Sequence, residues 1–140
     1  GRRTHLHATS TGKVLLAWLP LPEVRAVLNG SLESYTRNTI TRMELLEQEL
    51  ATVRGSGYAI GREEYEVGLN AIAAPIRDMS GQVVAALSAS GPAYRLSPES
   101  FEPAASALIS AASAVSRQLG LVMASRESEE LSGLPERQSG

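Results

Sequence analysis

The chain has 140 residues, 43% hydrophobic and 20% charged, a size and balance that fit one globular domain and exclude a multidomain machine. Thirteen basic and fifteen acidic side chains give a net charge of −2, so no basic field is available to hold a phosphate backbone. With no cysteine, a disulfide scaffold, an iron–sulfur cluster, a thiolate zinc site and a thiol nucleophile are all excluded, and one Phe, one Trp and four Tyr are too few for base stacking.

The opening residues lack the apolar stretch of a secretion signal. The longest uninterrupted apolar run, residues 14–19, is far shorter than the roughly 20 residues of a membrane span. The expectation is a soluble, cytoplasmic protein with no membrane contact. The first predicted helix covers residues 10–18, with a hydroxyl cap from Thr9, Ser10 and Thr11 and a stop at Pro20. A second short helix covers residues 22–28, with Pro22 in its first turn and Gly30 as exit. In the third, Thr41 and Glu44 have capping-box spacing, and Met43, Leu46, Leu50 and Val53 share one face before Gly55 and Gly57.

Three β-like runs follow, at residues 58–62, 71–77 and 83–90. The Asp78-Met79-Ser80-Gly81 connection predicts an antiparallel hairpin, and Pro75 points to an edge, a bulge or a strand end. Ser97 and Pro98 then start a long helix whose apolar positions run from Phe101 to Leu119, with Gly120 placed as its cap. The domain is assigned to residues 1–122, and the Ser/Glu/Arg-rich residues 123–140 are expected to be a frayed or disordered tail. Helices around a hairpin with no βαβ alternation indicate an α+β class, and three strands for four helices imply an open sheet edge.

Several side-chain groupings carry chemistry. Ser10, Thr11, Gly12 and Lys13 at a helix start have amides and hydroxyls that suit a carboxylate, or they simply cap the helix. They do not form a nucleotide loop, since His7 stands where its first glycine belongs and Val14 follows Lys13. Lys13 itself is expected to point to solvent, as helix lysines usually do. Glu63, Glu64 and Glu66 offer carboxylates for hydrolysis, but side by side on one loop they suit a solvated turn better. His5 and His7 share a face if extended, yet their place at a fraying start argues against a metal, and no metal or cofactor is expected. On the last strand Ala86, Ser88 and Ser90 form a small hydroxylated face, which either floors a cavity with the alternately small strand before it or packs tightly against a helix.

Taken in order, residues 6–17, 39–41, 50–54, 57–59, 63–76, 81–92 and 95–97 resemble the C-terminal effector-binding domain of IclR-family bacterial transcription regulators. The resemblance implies a GAF-like antiparallel sheet with helices against it and a pocket for small organic acids or aromatic-pathway metabolites. It places that pocket at Ser10, Thr11, Gly12, Gly61, Leu69, Ala71, Ser88 and Ser90, and so favours the carboxylate reading of the helix start. Gly61 and Ala71 offer no side chain where some members carry an acid or a cysteine, which implies a roomier or less polar pocket.

The family's winged helix-turn-helix and the opening strands of its sheet are not in this sequence. DNA binding is therefore expected only through an absent N-terminal domain, with a homodimer or a dimer of dimers as the assembly. No catalysis is expected. The alternatives are a hydrolase using Glu63 or Glu64, and a pure dimerisation module.

Overall fold

The computed structural model describes residues 5–30 and 32–132. In chain order the elements are α1 (Ser10–Ala17), α2 (Leu21–Leu28), α3 (Met43–Ser56), β1 (Ala59–Arg62), β2 (Leu69–Arg77), β3 (Val83–Pro92) and α4 (Pro98–Ser132). The strands form one antiparallel sheet in the order β1-β2-β3.

Alternation along β2 sorts the core into two layers. Ile72, Ala74 and Ile76 face α4, where Phe101, Ala105 and Ala112 are buried against them. Ala73 faces the other way, onto Val14, Leu16 and Ala17 of α1, and the same cluster takes in Val24 and Leu28 of α2 and Leu46, Leu50 and Val53 of α3. The sheet is thus covered by α4 on one face and by α1 on the other, with α2 and α3 packed on α1. Arg54 Nη1 closes the end of α1 by donating to the Ala17 carbonyl at 2.7 Å.

The hairpin forms as expected, with Gly81 at φ +87° and the Asp78 amide donating to the Gln82 carbonyl. The Ser80 hydroxyl and the turn's amides donate to the Asp78 carboxylate and hold its pKa below the usual aspartate value. Pro75 sits in the middle strand, but β1 pairs only with residues 70–73, so its missing N–H leaves no rung unmade on that side. A register shift follows at once, between Ile76 and Arg77.

Four expectations need correction. Arg42, not Thr41, is the residue preceding α3, and no side-chain cap bond forms there, so the capping-box spacing is not used. α4 runs through Gly120 to Ser132: one glycine costs a helix about 1 kcal/mol, and Leu119, Leu121 and Met123 around it favour helix. Residues 123–132 are therefore helical rather than a frayed tail, and residues 133–140 of the expected tail lie outside the described residues. Finally, an 18-residue stretch within Pro98–Glu127 has a mean hydropathy of 1.4, so by length and composition alone this helix could cross a membrane. Counting uninterrupted apolar runs misses it, because serines and single charges break the run. In this fold the segment lays Phe101, Ala105 and Ala112 on the sheet.

Candidate functional site

Small residues make the floor of a cavity on the α1 face of the sheet. Cross-strand pairing sets Gly61 opposite Ala71 and Ala71 opposite Ser90, while Ala59, Ala73 and Ser88 form the next row. None of these fills the space above the sheet. The N-terminus of α1 forms one wall with Ala8, Thr9, Ser10 and Thr11, and Glu64, Tyr65 and Glu66 line the cavity together with Gly61, Leu69, Ala71 and Ser88.

Six of the eight residues expected here, Ser10, Thr11, Gly61, Leu69, Ala71 and Ser88, are brought together in that lining. Gly12 and Ser90 are not. The Gly12 amide donates to Thr9 Oγ1 at 3.0 Å and is consumed by the helix cap. What requires glycine at this position is a close approach: a Cβ built there would lie 2.1 Å from the Leu6 carbonyl oxygen. Ser90 stands on the correct face, opposite Ala71, but exposed on the outer strand beyond the cavity.

The amides of Ser10 and Thr11, in the first turn of α1, have no acceptor among the described residues. Such amides, with the positive end of the helix dipole, suit an anion. Gly61 lets the strand come close to them, since a Cβ there would sit 3.5 Å from Ser10 N. The cavity is small, about 130 Å³, against the few hundred or more typical of drug-sized ligands. Gly61 and Ala71 add no side chain to this cavity, and α1 and the 64–66 segment bound it on either side.

At Glu64 and Lys13 the structure departs from the sequence expectation. Glu64 is only 8% exposed, and Lys13, expected in solvent, is fully buried. Lys13 Nζ donates to the Ile60 carbonyl at 2.9 Å and lies 2.7 Å from Glu64 Oε1 and 3.6 Å from Glu49 Oε1. Glu64 Oε2 accepts from the Arg62 amide at 2.9 Å, and the Glu64 carbonyl accepts from the buried Thr39 hydroxyl. Glu63 adopts φ +52°, its carboxylate accepting from the Gly68 amide at 2.8 Å and its carbonyl from the Thr36 hydroxyl. Glu63 and Glu64 thus belong to a built turn, while Glu66 stays exposed to solvent as expected. Each of the Glu63 and Glu64 carboxylates accepts a backbone amide, and Glu64 is in addition paired with Lys13.

Tyr65 belongs to an aromatic group at the rim. Its ring lies 4.7 Å from His5 and 5.0 Å from Tyr35, centroid to centroid. His5 Nδ1 hydrogen-bonds Tyr35 Oη at 2.9 Å. His7 is buried and its Nε2 donates to the Glu33 carbonyl at 2.7 Å, so the histidines are packed in place, not fraying. Among the described residues no cluster of three potential metal ligands exists. Ala8, Thr9, Glu64, Tyr65 and Glu66 were not singled out for the cavity from sequence. His5, Tyr35 and Tyr65 are too far apart in the chain for any spacing signal to join them.

A larger cleft, about 620 Å³, lies between Asp78, Met79 and Ser80 and the Met123–Glu127 part of α4. It contains neither the free helix amides nor the serine face.

Residues 1–117 match the family model for the bacterial transcriptional regulator IclR C-terminal region. The chain is 41% identical over 122 residues to the HTH-type transcriptional repressor AllR of Klebsiella pneumoniae, covering 86% of this chain and 45% of AllR. It is similar to the solved C-terminal domain of the Escherichia coli transcriptional regulator KdgR, with TM-score 0.76 and 42% identity over 82% of this chain and 71% of that one. It is also similar to the inducer-binding domain of a PobR double mutant from Acinetobacter in complex with 3-hydroxybenzoic acid, with TM-score 0.73 and 33% identity over 79% of this chain and 65% of that one. The chain spans about half the length of the curated relatives it matches.

Proposed function

Because the chain belongs to the IclR C-terminal family of bacterial transcriptional regulators, we propose that it is the effector-sensing part of such a regulator, taking a small carboxylate-bearing metabolite into the cavity between α1 and the sheet. The observation that carries this reading is the pair of acceptorless amides, Ser10 and Thr11, facing a cavity floored by Gly61, Ala71 and Ser88. The amides and helix dipole take the carboxylate, and Ser88 supplies a hydroxyl that has no partner among the described residues. A volume of about 130 Å³ favours a compact acid over a large one.

The guest is bound and not converted. Glu63 and Glu64 are already engaged, which argues against the hydrolase alternative, and the relatives named above are transcriptional regulators. DNA binding belongs to a winged helix-turn-helix elsewhere in the full-length protein, acting in the cytoplasm as a homodimer or a dimer of dimers. The effector controls it by binding the operator-competent and operator-incompetent arrangements with different affinity, since equal affinity shifts nothing.

Thermal-shift screening against a panel of small organic acids tests the reading. A stabilising acid is expected, with a shift that rises with its concentration. Ser88→Ala should then weaken that acid by about 1 kcal/mol, or roughly fivefold, in calorimetry. A panel that stabilises nothing at high concentration would favour the dimerisation module instead.

A further inference from the structure

A cavity proposed to hold an anion has a glutamate in its wall, and the reason this does not repel the guest lies behind that wall. Lys13 does not line the cavity; it is fully buried, with Nζ 2.7 Å from Glu64 Oε1. We infer that Lys13 is a positioning residue that sets the charge selectivity of the cavity through Glu64, neutralising that wall carboxylate and holding it against α1 so that the Ser10 and Thr11 amides stay open to an anion. The inference rests on the carboxylate-binding reading above.

Stability alone is a weak account of this pair. Burying two charges costs several kcal/mol of hydration each, and a well-packed apolar pair of similar volume is commonly as stable or more so. Yet the fold holds Glu64 at three further points: the Arg62 amide on Oε2, the Thr39 hydroxyl on its carbonyl, and the left-handed Glu63 before it. Such a turn fixes where one carboxylate stands. Among the described residues the other charges nearby are Glu49, 3.6 Å from Nζ, the exposed Glu66 at the rim, and the neighbouring Glu63, whose carboxylate is tied to the Gly68 amide, all acidic. Lys13 is the one cation among the described residues within ion-pair distance of Glu64, so removing it leaves the wall negative, whereas removing the Glu64 charge leaves it more positive.

The two changes therefore have opposite effects on anions and little effect on neutral guests of the same shape. A unit charge about 6 Å from a bound carboxylate, at an effective dielectric near 40, changes affinity roughly tenfold. Lactate and lactamide serve as matched probes, titrated at millimolar concentration while the ¹⁵N shifts of Ser10, Thr11 and Gly61 are followed. In Glu64→Gln the lactate-to-lactamide affinity ratio should rise about tenfold. In Lys13→Met it should fall by a similar factor, and the double variant should return close to the starting ratio. If Lys13→Met does not fold, Glu64→Gln and the double variant still decide the matter. Equal losses for both probes in these variants would show a purely structural pair and overturn the inference alone. An unaltered chain that binds neither probe at these amides would overturn the carboxylate reading, and the inference with it.

Discussion

At Gly61 an absent methyl group keeps a helix end usable. A Cβ there would meet Ser10 N at 3.5 Å and Ser10 Cβ at 3.9 Å, which are ordinary van der Waals contacts, so Gly61→Ala should fold normally. The added methyl would nevertheless stand beside the Ser10 amide, where the proposed guest's carboxylate would sit. Gly61→Ala is expected to weaken acid binding about tenfold, the cost of roughly one charge-assisted hydrogen bond, while the melting temperature stays within a few degrees. Unchanged binding would remove the Ser10 amide from the site. Gly12 contrasts with it: only the Gly61 contact leaves room for a side chain, since at Gly12 the obstacle is the Leu6 backbone. The role of Gly12 was visible as a helix-start glycine but not its reason, because the Leu6 carbonyl reaches it through a turn that no local pattern encodes. The burial of Lys13 is hidden from the sequence for a similar cause. Its partners Ile60 and Glu64 lie some fifty residues away, and nothing within α1 announces that this lysine points inward.

Among the elements, α4 shows what one glycine in a helix does. Gly120 lies inside a helix that continues to Ser132, and a Cβ there would touch only Met79 Cγ, at 3.5 Å. Gly120→Ala should therefore stabilise the protein by up to about 1 kcal/mol. Chemical denaturation with an unchanged m-value checks this, and a loss of stability would mean that the helix does not pass through residue 120 in solution. Placing a helix end at Gly120 was reasonable from composition, since glycine ends helices more often than it interrupts them. The strands were more legible. Period-two alternation on β3 separates Ala86 and Ser88 from Leu87, and the packing turns the first two toward α1 and the third toward α4. What alternation cannot carry is the register of three strands to one another, and with it the row that sets Ser88 beside the cavity and leaves Ser90 outside it.

For the molecule as a whole, the sheet is open. Among the described residues β3 pairs on one side only, with β2, and exposed Ser88, Ala89 and Ser90 run along it. That edge borders the cavity through Ser88, so any segment or partner that paired with it would also shape the proposed binding space. On the proposed reading no hinge within the domain is needed: a guest bridging α1 and the sheet would tighten their contact, and a regulator would read that change if its two arrangements differ in how firmly α1 is held. The most direct test is a crystal structure of the chain grown with the acid that stabilises it best. Density for its carboxylate is expected within about 3 Å of the Ser10 and Thr11 amides, with the rest of the molecule over Gly61, Ala71 and Ser88. Density for that acid only in the cleft between the Asp78 turn and the end of α4, with the space beside α1 empty, would contradict the proposal.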